Sequence, residues 1–141
     1  MELRSDPSTI DASWLTQALQ SRYPGGSVDQ VDSASIGTGQ VGENVRFSLR
    51  GQGIPESVVG KFPSLDPVSK QTGILQRNYV REVFFYQALQ SEVKIQTPVI
   101  HHAAIDPETH EFVLIMEDLA PGQQGDQLAG CSVDQAALAL E

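Results

Sequence analysis

Trp14, Leu15, Ala18 and Leu19 fall at i, i+1, i+4 and i+5, the spacing of one helical stripe, and predict a helix over Asp11 to Arg22. Thr9 or Asp11 serves as its cap, and Pro24-Gly25-Gly26 ends it. From Val28 to Ile36 the apolar residues Val31, Ala34 and Ile36 sit in a small-residue background that reads as a strand. Gly37 to Gly42 is a glycine-punctuated loop. Val45, Phe47 and Leu49 then alternate with Arg46, Ser48 and Arg50, the period of a half-buried strand, which Gly51-Gln52-Gly53 closes as a turn. Ser57 to Phe62 is a short apolar run interrupted only by Lys61.

Pro63 to Ser69 reads as a polar connection, and Gly73 to Ser91 has the length and periodicity of one helix. Its stripe is Leu75, Tyr79, Glu82, Tyr86 and Leu89, with Phe85 beside it. Pro98 to Ile105 and Glu111 to Met116 predict two more strands, separated by the turn chemistry of Asp106-Pro107-Glu108-Thr109-His110. Glu117 to Gly130, rich in Gly, Gln and Asp, has no periodicity and reads as a linker. Ser132-Val133-Asp134-Gln135 fits a capping box opening a helix that Ala136 to Leu140 continue. The pattern therefore predicts an α+β fold: a five-stranded antiparallel sheet, one main packed helix and an N-terminal helix.

The loop Gly37-Thr38-Gly39-Gln40-Val41-Gly42 matches G-x-G-x-x-G, a weak signal until its context is known. A dinucleotide fold needs the loop to enter a helix, whereas here it enters an alternating strand. A strand-loop-strand glycine hairpin instead suits a phosphate-covering loop, in which missing side chains let backbone amides approach a nucleotide. The simpler alternative is that the glycines only serve a hairpin.

Two residues favour the nucleotide reading. Lys61 interrupts an apolar strand, where lysine is rare unless its ammonium has a partner or reaches water. Alternation places Val59 on the same face, so a ligand there meets an apolar surface for a base and a cation for phosphates. Glu82 sits within a helical stripe, where a buried carboxylate needs a cation. An ion pair to Lys61 would satisfy it and aim the ammonium at the phosphates. The alternative is a solvated Glu82 at the margin of the stripe.

Composition narrows the partners. The chain has 141 residues, with nine Lys and Arg against eighteen Asp and Glu and a net charge of −9. An acidic field repels nucleic acid and anionic lipid before specific contact forms. Cys131 is the lone cysteine, so no internal disulfide exists, and its place before the Ser132 cap reads as a linker position. Met1 to Asp11 lacks an apolar leader region, and no stretch approaches the roughly 18 apolar residues of a membrane span. The cytoplasm is the expected compartment. His101 and His102, adjacent on a strand, should point to opposite faces, and His110 falls in a turn, so no metal site is expected from them. Asp118, Asp126 and Asp134 do not have calcium-loop spacing. Arg77 and Arg81 read as solvated.

The glycine loop followed by Glu43-Asn44, then Val59-Gly60-Lys61, Tyr79-Val80-Arg81-Glu82-Val83-Phe84-Phe85-Tyr86 and Leu114-Ile115-Met116-Glu117-Asp118-Leu119, resembles the aminoglycoside phosphotransferase and choline kinase family, especially its ecdysteroid-kinase-like branch. The resemblance implies a kinase-like amino-terminal lobe over residues 28–119, preceded by a helical segment over 1–27 and followed by a linker and the start of a carboxy-terminal lobe over 120–141. It implies ATP beneath Gly37, Thr38, Gly39, Gln40, Val41 and Gly42, with Lys61 on the α and β phosphates and Glu82 positioning it. Val59 would face the base, the Glu117 carbonyl and Leu119 amide would contact adenine, and Met116 would begin the back wall. The implied reaction moves the γ-phosphate of ATP, with Mg2+, to a hydroxyl of a small acceptor.

The sequence departs from that pattern in places. Asn44 stands where protein kinases carry the valine that covers the base, and Gly60 replaces a larger residue before the lysine. The family's His-Gly-Asp type loop, its following Asn and its metal-binding Asp are not in this sequence. No catalytic base or metal ligand is thus expected among these residues, and the lobe alone should not turn over. The helix that Ser132 opens is cut short at Glu141, so the chain is expected to be one half of a two-lobed enzyme. The alternatives are a non-catalytic nucleotide-sensing or protein-interaction module, and an unrelated α+β domain.

Overall fold

Asp11, with an extended backbone, accepts a hydrogen bond from the Trp14 amide at 2.8 Å and so opens α1 (Ala12–Leu19). The computed structural model describes residues 1–37, 41–122, 125–126 and 128–138. After α1 come β1 (Ser27–Ser35), β2 (Gly42–Gln52) and β3 (Ser57–Pro63), and later β4 (Ile100–Ile105) and β5 (Phe112–Glu117). They form one sheet in the order β1-β2-β3-β5-β4 with every neighbouring pair antiparallel. The α+β class and the five-stranded antiparallel sheet stand as the sequence pattern predicts.

Alternation divides the sheet into two working faces. Val45, Phe47 and Leu49 of β2, Val58 and Phe62 of β3, and Val113 and Ile115 of β5 join Trp14, Leu15, Ala18 and Leu19 of α1 in the larger core. The opposite face carries Asn44 and Arg46, Val59 and Lys61, and Leu114 and Met116. A smaller core there gathers Tyr79, Val83, Phe112 and Leu114. Helix α1 thus seals one face, and the second helical layer packs on the other.

That second layer differs from the single helix expected over Gly73 to Ser91. Asp66 caps α2 (Pro67–Leu75) by accepting from the Ser69 amide at 2.8 Å, with proline at the first position, so a helix begins inside the supposed polar connection. Arg77 adopts a left-handed backbone, φ 57°, before α3 (Asn78–Phe84), and a wider π turn (Phe85–Leu89) and a 3₁₀ turn (Gln90–Glu92) complete the segment. The break and the widened turn shift the helical phase, so the five-residue stripe is not a continuous buried face. Leu75 is 72% exposed and Leu89 43%, whereas Tyr79 and Val83 are buried.

Three local readings also change. Strand β2 continues past the supposed turn at Gly51, because Gly51 pairs with Val28 and Gln52 with Ser27. A Cβ at Gly51 would lie 1.9 Å from the Ser27 carbonyl oxygen, so only glycine allows that approach. Glu117 belongs to β5 and not to the linker. His101 and His102 do not obey strict alternation, since the register shifts between Ile100 and His102. Their rings meet two aromatics of the N-terminal segment, His101 against Tyr23 at 5.6 Å and His102 against Trp14 at 5.5 Å between centroids. At the far end the capping box forms: the Ser132 amide donates to Gln135 Oε1 at 2.9 Å, and the Gln135 amide donates to Ser132 Oγ at 3.2 Å. It opens the exposed α4 (Val133–Leu138), and the continuation read to Leu140 lies outside the described residues. No helix is long and apolar enough to cross a membrane among the described residues.

Candidate functional site

Lys61 and Glu82 meet. The Lys61 ammonium donates to Glu82 Oε1 at 2.7 Å, with side chains 27% and 28% exposed, so the pair is sheltered yet reachable from solvent. Its placement follows from β3 lying in the sheet while α3 packs beside β5 and β4 on the same face. Tyr86, one turn beyond Glu82, has its phenol pushed up by burial and, secondarily, by the Glu82 carboxylate.

Strand register sets the residues around Lys61 in two rows, with the predicted Val59 and Met116 in the second. Asn44, Lys61, Leu114 and Ala103 are successive partners across β2, β3, β5 and β4. Arg46, Val59, Met116 and Ile100 form the neighbouring row, two residues along the strands and thus about 7 Å away. Beneath the second row lies a cavity of about 190 Å³ whose walls include Ile36, Arg46, Val59, Met116, Glu117 and Leu119. A companion of about 260 Å³ extends beneath Gly37 and Asn44, sharing Ile36, Arg46, Val59 and Gly122 with the first. The two are parts of one cleft running from the end of β5 towards the glycine loop. A larger open hollow, about 550 Å³, lies among Glu2 to Asp11 and touches none of the predicted site residues.

Two ends of the glycine loop are described, and Gly37 lines the second part of the cleft. Gly37 has φ +73°, a left-handed conformation that favours glycine. Gly42 starts β2, and a Cβ there would stand 3.3 Å from Lys61 Cε and 3.1 Å from the Phe62 carbonyl oxygen, so the loop leaves close above the lysine stem. Val41 is held through its carbonyl, which accepts a hydrogen bond from the Tyr79 hydroxyl. The same hydroxyl accepts from the Ser64 amide at 3.3 Å, so one buried phenol ties the loop, the end of β3 and α3 together. Thr38, Gly39 and Gln40 lie outside the described residues.

At the other end, the Glu117 amide donates to the Val99 carbonyl at 2.8 Å, and its carboxylate accepts from the Val99 amide at 3.1 Å. Asp118 turns beneath the sheet with only 6% of its side chain exposed. It accepts from Arg46 Nε at 2.7 Å and Nη2 at 3.1 Å, from Ser57 Oγ at 2.7 Å and from the Ala120 amide at 3.1 Å. The forked guanidinium, opposed by burial, holds the Asp118 carboxyl below its usual range, and the same contact raises Arg46. Leu119 is 59% exposed; its carbonyl accepts from the Gly122 amide at 2.8 Å, while its own amide has no partner among the described residues. Met116 packs on the smaller core and forms the inner wall of the cavity.

Gly60 also has a physical reason. A Cβ there would approach Phe62 Cε2 at 2.6 Å and Phe47 Cε2 at 2.7 Å, so the edge-to-face pair of phenyl rings closes over a position with no side chain. The structure therefore sets Gly37, Val59, Met116, Glu117 and Leu119 on the walls of the cleft. Lys61, paired with Glu82 and close to Gly42, belongs to the neighbouring row and lines neither part of it, and Val41 is tied to Tyr79. Sequence reasoning passed over Arg46, Ser57, the Asp118 carboxylate and the Tyr79 hydroxyl. Parity placed Arg46 on the polar face of β2, but only the register of β2 on β3 shows that this is the face of Lys61.

The fit of an ATP-like ligand rests on donors and surfaces that are present: a paired lysine, apolar walls at Ile36, Val59 and Met116, and a Leu119 backbone amide with no partner among the described residues. Among the described residues, no group of three or more His, Cys, Asp or Glu gathers to hold a metal ion. No protein-family model matches this chain, and no curated protein matches it.

Proposed function

We propose that this chain is the ATP-binding lobe of a small-molecule phosphotransferase, one that moves the γ-phosphate of ATP to a hydroxyl of a small acceptor. The observation that carries the reading is the sheltered 2.7 Å Lys61–Glu82 pair, one strand row from the cleft lined by Val59 and close to Gly42 at the exit of a glycine loop. The two side-chain rows give the cleft a division of labour. The row of Val59 and Met116 offers an apolar surface to a base, and the row of Lys61, about 7 Å away, offers a cation to phosphates. Glu117 and Leu119 line the same cavity, which suits the proposed contacts of the Glu117 carbonyl and the Leu119 amide with the base.

The bound nucleotide would supply the transferable phosphoryl group, and the residues of this chain bind and orient it. Lys61 neutralises phosphate charge while Glu82 fixes the ammonium in place. The proton acceptor for the hydroxyl, the ligands for Mg2+ and the acceptor pocket are assigned to a second, carboxy-terminal lobe.

The test is thermal stabilisation. ATP with Mg2+ at a hundred times its dissociation constant should stabilise the chain by about 2.7 kcal/mol. At roughly 3 °C per kcal/mol for this size, the melting temperature should rise by about 8 °C. Lys61→Ala should still fold and lose most of that rise. A wild-type melting temperature unmoved by millimolar ATP with Mg2+ argues against the proposal.

A further inference from the structure

The sequence leaves open which side chain covers the base, since Asn44 replaces the expected valine, and the neighbouring row offers a candidate in Arg46. We infer that Arg46, clamped flat by Asp118, is the stacking roof of the base subsite and selects a planar aromatic heterocycle there. This deepens the nucleotide reading and rests on it.

Three observations carry the inference. Arg46 is the direct partner of Val59, whose own partner on the next strand is Met116, so the guanidinium belongs to the apolar base row and not to the Lys61 row. Its Nε and Nη2 are both engaged by one carboxylate, at 2.7 and 3.1 Å, and that carboxylate is itself fixed by Ser57 and Ala120. An arginine held by one edge in this way is a rigid plate whose charge is largely compensated, which suits stacking and not capture of a second anion. Finally, its side chain remains 38% exposed, and it lines both parts of the cleft. Planar guanidinium on an aromatic face is a favourable contact.

The arrangement also explains why Asp118 is buried just beyond β5. Without it, Arg46 would extend into solvent and the roof would have no fixed plane. The carboxylate thus acts through Arg46, as a positioning residue.

The experiment measures equilibrium binding of adenosine, of ATP with Mg2+ and of tripolyphosphate to the full chain and to Arg46→Met, Arg46→Lys and the surface control Arg50→Met. Arg46→Lys keeps a cation for Asp118 should Arg46→Met fail to fold, and it removes only the plate. Arg46→Lys is expected to weaken adenosine and ATP by the same factor, about 3- to 10-fold, with tripolyphosphate unaffected and Arg50→Met like wild type. Wild-type adenosine affinity in Arg46→Lys overturns the roof assignment while leaving the nucleotide reading standing. A loss confined to ATP and tripolyphosphate overturns it too, because Arg46 would then be a phosphate cation. Failure of the wild-type chain to bind any of the three probes removes the nucleotide reading itself, and the roof with it.

Discussion

Replacing Tyr79 by phenylalanine removes one oxygen atom and leaves the ring in place, which isolates the tie between the glycine loop and the helical layer. The ring is 1% exposed and stacks obliquely on Phe112 at 4.8 Å between centroids, so its burial is unchanged. Lost are the donation to the Val41 carbonyl and the longer acceptance from the Ser64 amide at 3.3 Å. A net hydrogen bond is worth about 1 kcal/mol, and two partly sheltered backbone groups lose a partner. The longer bond contributes less, giving a cost of about 1–2 kcal/mol. Equilibrium urea denaturation should show a lower midpoint with an unchanged slope, and the melting temperature should fall by roughly 3–6 °C. In the same protein, amide exchange at Ser64, whose N–H loses its acceptor, should accelerate relative to wild type. A change in stability under about 0.5 kcal/mol, the range of an ordinary surface substitution, would refute the reasoning.

Two further outcomes follow from packing and from burial. Gly60→Ala places a methyl group within 2.6–2.7 Å of the Phe62 and Phe47 rings, and overpacking of this kind should cost about 1–3 kcal/mol in urea denaturation; wild-type stability would show that the rings yield freely. Burial lowers both His101 and His102, aided by the positive charge of Arg22 at His101, against the pull of Glu117, and by that of the amino terminus at His102. Each is therefore neutral in the folded chain where the unfolded chain already binds a proton, so their contribution is complete above about pH 6.5 and lost as pH falls towards the depressed folded values. Melting temperature measured from pH 7.5 to 5.5 should decline in the wild type and decline less in the His101→Gln/His102→Gln double variant. Equal slopes for the two proteins would contradict this assignment.

Much of the fold was legible because strand alternation and helix caps are local. Val45, Phe47 and Leu49 mark the buried parity of β2 without help from the rest of the chain, and Asp11, Ser132 and Gln135 act within a few residues of themselves. The second helical layer was less legible. A left-handed residue at Arg77 and a π turn after Phe84 leave no mark in hydrophobic spacing, so one apparent helix is several pieces. Gly51 looked like a turn and is instead the point where another backbone comes too close for a side chain.

For the candidate site, residue order along the chain was enough to single out the glycine loop, Lys61 and Glu82 and to suggest that the last two should meet. Charge compensation in a sheltered place is a requirement that sequence alone can state. What only the tertiary structure decided is who shares a row. Arg46 and Asp118 are 72 positions apart, and nothing local distinguishes that arginine from Arg50 on the same strand. Register sets Arg46 beside Val59 and turns the end of β5 back beneath it, because antiparallel pairing fixes partners across strands that periodicity within a strand cannot name.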